Sequence, residues 1–229
     1  MRTLFAGLVL LAMAGLVSGQ VPLGPAASPN DVLALLQSLS ISPELKSELL
    51  GEVSSALATG QLSPGVAVPF LQALSALPQA QIEQTLNIVR EALGEKFIVD
   101  PLLNETLKGL RLARPWPEVM GMLQLRLALL TATRTVLQAH GLVPVPTPKG
   151  ISPSPSTKLV LELAWAIGDY LTSGGSPADG ATMESMVRNR LVRLRGTALA
   201  PGVVDPLIAA LSPALVQEIA GLALNPERR

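Results

Sequence analysis

Again and again along this chain a side-chain oxygen stands directly before a proline. Six of these pairs are Ser28-Pro29, Ser42-Pro43, Asp100-Pro101, Ser176-Pro177, Asp205-Pro206 and Ser212-Pro213. A serine or aspartate at this position accepts a hydrogen bond from an orphan N–H of the first helical turn. Proline as first helical residue loses no bond, and its φ is already set for a helix. Repeated at this density, the pairs predict a chain built of helices. The apolar spacing agrees: Leu45, Leu49, Val53 and Leu57 recur every four residues, and Ile82, Leu86, Val89 and Leu93 share a helical face. No run alternates β-branched and polar residues as a half-buried strand would. The expected class is all-α, with nine or ten helices near 29–39, 43–58, 69–77, 79–93, 101–113, 117–140, 157–172, 177–195, 205–211 and 213–223. Gly94 is placed to end the fourth.

Two segments resemble each other. Residues 62–75 and 199–212 are identical at eight of fourteen positions without a gap, including Pro64/Pro201, Gly65/Gly202 and Pro69/Pro206. A Ser-Pro start lies upstream of each, at Ser42 and Ser176. The expected organisation is an N-terminal helical region over 28–143, a connector over 144–156 with five prolines, and a C-terminal region over 157–229 that repeats 28–95. Between the two units lies a long helix, 117–140, apolar on almost every side and so expected to be buried all round.

That helix carries Arg126 and Arg134. Two cations in an aliphatic core are costly unless paired. The following helix carries Glu162 and Asp169. The acids are about 10.5 Å apart along a helix and the arginines about 12 Å. Antiparallel packing predicts Arg126 on Asp169 and Arg134 on Glu162.

Charge is balanced overall but unevenly spread. Gln20 to Glu105 holds nine acids and three bases, and Thr106 to Arg229 eight acids and thirteen bases. The split favours docking of one half on the other, or self-association, and no nucleic acid partner is expected. Arg188, Arg193 and Arg195 flank an apolar stripe of Met183, Val187, Leu191 and Leu194. An amphipathic basic helix of this kind suits an anionic membrane surface or an acidic protein partner. Glu44, Glu48 and Glu52 form an acidic ridge, most simply a solvated face.

Little in the sequence speaks for catalysis. There is one histidine and no cysteine, so zinc sites and thiol nucleophiles have no ligands to draw on, and no cofactor is expected. His140, followed by Gly141, reads as the end of the long helix. Ser173-Gly174-Gly175-Ser176 is a turn, not a phosphate loop. Trp116, Trp165 and Tyr170 are the large pieces of a core with few aromatics, with lining of an apolar pocket as the other use for them.

The N-terminus places the protein. Arg2, an apolar run from Leu4 to Val17 and the small residues Ser18 and Gly19 have the parts of a cleavable secretory signal over 1–19, followed by a short linker over 20–27. With no cysteine after the run, no lipoprotein anchor is expected. The sequence thus points to an exported bacterial protein, periplasmic or extracellular. It is expected to be non-enzymatic, acting by binding or scaffolding in the envelope. The alternatives are a carrier of an apolar small molecule or lipid, and a carboxylate-dependent hydrolase of envelope material. N-terminal sequencing of the exported protein is expected to begin at Gln20; a retained Met1 contradicts cleavage.

Overall fold

The computed structural model describes residues 27–143, 154–225 and 227; the expected signal segment and residues 144–153 of the expected connector lie outside the described residues. The fold is all-α. Among the described residues ten helices follow in order: α1 (Pro29–Ser38), α2 (Pro43–Thr59), α3 (Pro64–Leu74), α4 (Gln79–Gly94), α5 (Asp100–Arg111), α6 (Trp116–Ala139), α7 (Pro155–Thr172), α8 (Gly180–Leu194), α9 (Pro201–Ala210) and α10 (Pro213–Leu224).

Three of the six cap–proline pairs stand at a helix start. Ser28 closes a capping box, its hydroxyl accepting from Asp31 N (3.3 Å) while Asp31 accepts from Ser28 N (2.7 Å). Ser212 accepts from Leu215 N (3.2 Å), and Ser42 precedes α2. The other pairs differ. Asp100 is the first residue of α5, and its carboxylate accepts from Ser63 N (2.8 Å), tying two loops together. Ser176-Pro177 forms a turn, and α8 is capped three residues later by Asp179, which accepts from Thr182 N (3.1 Å). The start of α7 falls at Pro155 behind Ser154, inside the expected connector.

Asp205-Pro206 lies within α9, and Pro69 likewise lies within α3. Both helices start five residues earlier, at Pro64 and Pro201. An internal proline removes one N–H and crowds the carbonyl four residues back. In both helices that residue is an exposed glycine, Gly65 or Gly202, so water reaches the unpaired carbonyl. The expected end of α4 also moves: Gly94 stays helical and Lys96 takes the left-handed position with φ 60°.

The arrangement centres on α6, which packs against α4, α5, α7 and α10. Apart from Glu118 in the first turn, its exposed residues Pro117, Gly121, Gln124, Thr135 and Ala139 form one narrow stripe, and Leu123, Leu127, Leu129, Leu130, Val136 and Leu137 are buried around the rest. Ahead of it, α1 packs on α2 and α3, α2 on α4, and α4 on α6. Behind it, α7 packs on α8 and α9, α8 on α10, and α10 on α6. The two sets share this order of contacts, although α8 also packs on α9 without a comparable α2–α3 contact, α3 packs on α5, and α7 packs directly on α6.

One contiguous aliphatic core runs through both sets. The charge split contributes little to joining them. Among the described ion pairs only Arg134–Glu95 crosses between the acidic and basic halves; the others are internal to one half. Burial of α6 does the joining, because area removed from water does not depend on charge sign.

The acidic ridge of α2 is also not uniformly solvated. Glu44 is exposed, Glu48 pairs with Arg90, and Glu52 is half-buried with its Oε2 enclosed and without a partner. Burial pushes the Glu52 carboxyl above its ordinary value, and Lys96 opposes this only in part. An acid whose folded-state pKa is raised lowers stability as pH rises through that range. Glu52→Gln is therefore expected to raise the denaturation midpoint at neutral pH. The gain should shrink in acid, where Glu52 is protonated, and denaturant titrations at both pH values measure it.

Candidate functional site

The densest polar arrangement in the fold crosses α6, α7 and α8. It begins with a glycine. A Cβ on Gly168 of α7 would lie 2.2 Å from Arg126 Nη1 and 3.0 Å from Leu129 Cδ1, so the missing side chain is the space into which the arginine fits. Arg126 is only 3% exposed. Its Nη2 donates to Asp169 Oδ1 (2.6 Å) and its Nη1 to the Trp165 carbonyl (3.1 Å). The guanidinium lies 4.9 Å from the Trp165 ring centroid, a cation–π contact with the indole face. Its Nε is buried without a partner.

From the other side, Arg190 of α8 donates from Nε to Glu162 Oε2 (2.5 Å) and from Nη1 to Asp169 Oδ2 (3.3 Å). Asp169 thus bridges two arginines. Arg126, Asp169, Arg190 and Glu162 form a neutral ladder in which α7 supplies both acids and its neighbours one cation each.

Arg134 does not meet Glu162. Eight residues place it about 80° around the helix from Arg126, while seven keep Glu162 and Asp169 within about 20° of each other. Arg134 consequently faces the end of α4. There it pairs with the Glu95 carboxylate, donates from Nη1 to the Glu95 carbonyl (2.7 Å) and lies 4.6 Å over the Phe97 ring. It thereby satisfies a carbonyl at a helix end that has no intrahelical donor.

Two of the three basic residues of α8 expected to face an anionic surface or acidic partner, Arg188 and Arg195, are engaged with other residues of the fold. Arg188 holds Glu184 (2.6 Å) and donates to the carbonyls of Ile208 (3.1 Å) and Leu211 (3.3 Å), closing the end of α9. Arg195 grips Asp205 with two parallel bonds, 2.8 and 2.9 Å, a geometry that suits the guanidinium fork. Only Arg193 of the three is exposed and without a partner among the described residues.

His140 caps α6, and Gly141 after it takes the left-handed conformation, φ 67°. The imidazole Nε2 lies 3.1 Å from Glu218 Oε2. Both line an open cleft of about 200 Å³ with Leu142, Ala210, Ser212, Ala214 and Leu215. The Ser212 hydroxyl is held as the cap of α10 and makes no hydrogen bond to the imidazole, so nucleophile and base are not coupled. The cleft is smaller than the usual range for an organic ligand, about 300 Å³ upward.

The aromatics brace neighbouring elements. Trp116 Nε1 donates to Gln84 (3.3 Å), and the Tyr170 hydroxyl to Asp179 (3.1 Å). Burial, then the Asp179 carboxylate, holds the Tyr170 phenol above its ordinary pKa. Gly175 lies flat on the Tyr170 ring, where a Cβ would come within 2.4 Å. No cluster of three or more metal-ligating side chains occurs among the described residues.

Sequence reasoning missed Gly168 and the part played by Arg190. The available signal was a glycine inside an otherwise apolar helix, one residue before an acid, which marks close approach of a neighbour. No protein-family model, curated protein or solved structure matches this chain.

The ladder predicts an asymmetry. Asp169→Ala strands Arg126 in the core and is expected to cost about 3–5 kcal/mol. Arg126→Met leaves Asp169 with Arg190 and should cost about 1 kcal/mol or less. Gly168→Ala should cost about 1–3 kcal/mol through overpacking. Most of that cost should vanish in the Arg126→Met background, a coupling that a double-mutant cycle in urea reads directly.

Proposed function

We propose that this chain is an exported, non-enzymatic helical protein that acts by binding or scaffolding in the bacterial cell envelope. The observation that carries the reading is how its polar side chains are used. Glu162 and Asp169 each sit on an arginine. Ser212 caps a helix, and Arg188 and Arg195 hold α9 in place. Groups that do acid–base or nucleophilic work must reach a substrate proton or carbonyl. Here they hold helices together, as a rigid binding body requires.

Export is supported by the Leu4–Val17 run and the small residues behind it. We also read the two helical sets as an internal duplication. The shared order of contacts and the paired internal prolines, each four residues after an exposed glycine, support it. The His140 cleft itself is small and open to solvent, which suits a lipid poorly. Hydrolysis ranks lower because Glu162 and Asp169, the acids brought together on α7, are neutralised by arginines.

Cross-linking in intact bacteria producing the full chain tests this reading. The expected outcome is specific cross-links to envelope components, retained in Glu162→Gln and Asp169→Asn variants that stay folded. Cleavage of cell-wall polymer by the purified chain, abolished in those same variants, would reverse the assignment.

A further inference from the structure

We propose that the turn joining α5 to α6 is a docking corner for an anionic phospholipid surface. The inference rests on the binding reading above and names the partner. It starts from a strained backbone. α5 closes with Ala113 N donating to the Leu110 carbonyl (3.0 Å) and Arg114 N to the Gly109 carbonyl (3.1 Å). This ending requires a left-handed residue, normally glycine. Glycine fills that place after α2, α6 and α7, at Gly60, Gly141 and Gly174. After α5 it is Ala113, φ 49°. Backbone strain of this kind concentrates at functional segments.

The strained turn holds an apolar side chain out in solvent. Leu112 is 59% exposed, more than Val192 at 53% or Leu224 at 44%. Residues 111–115 are all exposed, so the feature is a projecting corner and not a groove. After α4 the residue following the left-handed position is Phe97, which is buried; after α5 it is Arg114, which stays outside.

Three cations lie within four residues of Leu112 in sequence. Lys108, Arg111 and Arg114 are exposed, and none has a partner among the described residues. Glu118 is the nearest exposed acid in sequence. It lies in the first turn of α6, where the positive helix end offsets its charge. At the base of the corner is Trp116, half-buried, with its indole N–H toward Gln84.

A projecting leucine, three unpaired cations and an indole suit one kind of surface. An anionic bilayer attracts the cations, accepts the leucine into its acyl boundary and takes an indole at headgroup level. An acidic protein would satisfy the cations but would need a matching hollow for Leu112. No single described helix is long and apolar enough to cross a membrane.

The full chain has no cysteine, so Leu112→Cys and Leu224→Cys each give one thiol for an environment-sensitive dye. Residues 4–17 have apolar affinity of their own, and a dye at a chosen residue separates the corner from that segment. Phosphatidylcholine vesicles with and without phosphatidylglycerol are the probe. The dye at residue 112 is expected to brighten and shift blue only with phosphatidylglycerol, more at low salt than at high, while the dye at 224 stays unchanged. Each cation near such a surface is worth about five-fold in affinity. Lys108→Glu, Arg111→Glu and Arg114→Glu together are thus expected to weaken the response at least about 100-fold. Circular dichroism of that variant verifies its fold.

Equal responses at 112 and 224, an equal response to phosphatidylcholine alone, or a response kept after charge reversal overturns the proposal. So does full competition by soluble polyaspartate at matched ionic strength, which would make the corner an acidic-polypeptide site. A silent dye with the envelope cross-links intact removes this inference alone. Loss of both removes the binding reading as well.

Discussion

Arg126 enters the core only because Gly168 leaves space for it, and much of the C-terminal packing is arranged around that entry. A guanidinium at 3% exposure has lost nearly all its water. It regains an acid, a carbonyl and an aromatic face from one helix turn of α7. Burying a charged pair is weakly stabilising or neutral against an apolar alternative, so the ladder is better understood as fixing register. If α7 slid along α6, Asp169 would leave Arg126 and the guanidinium would be stranded. Arg190 extends the same constraint to α8, and three helices become one positioned block.

The N-terminal set is held differently. No comparable ladder ties α1 to α5; the longer-range links there include Asp100 to Ser63 N and the Gln61 contact with the Phe97 carbonyl. Its helices meet through leucine, valine and isoleucine. With no disulfide and few aromatics, stability comes from aliphatic area spread over many residues. Arg134 links the sets by closing the end of α4, while α6 supplies the apolar surface on which both are built.

This division bears on function. The C-terminal charges that look like an interaction face in sequence are largely used up in holding α7, α8 and α9. Among the charges left free, Lys108, Arg111 and Arg114 lie elsewhere, at the α5–α6 corner, near a leucine that stays exposed. A composition count cannot tell a cation that closes a helix end from one that faces solvent. The difference arises from where a neighbouring helix ends.

The helical class, the number of helices and most of their starts were legible in the chain, because caps, prolines and apolar periodicity act within a few residues. Ser28, Ser42 and Ser212 are such local signals. Where a local rule met a competing contact it failed: Pro69 and Pro206 sit inside helices because Pro64 and Pro201 offer earlier starts and Gly65 and Gly202 tolerate the lost bond. The partner of Arg134 was not legible, since a rotation of about 80° on one helix decides it and only packing sets which neighbour lies there. The sequence by itself thus determined an aliphatic, cysteine-free, all-helical chain with charged side chains in its central helices. Only the tertiary structure decided which charges neutralise one another, which glycine makes the space and which leucine is left in water, because those outcomes depend on residues from different helices meeting within a few ångströms.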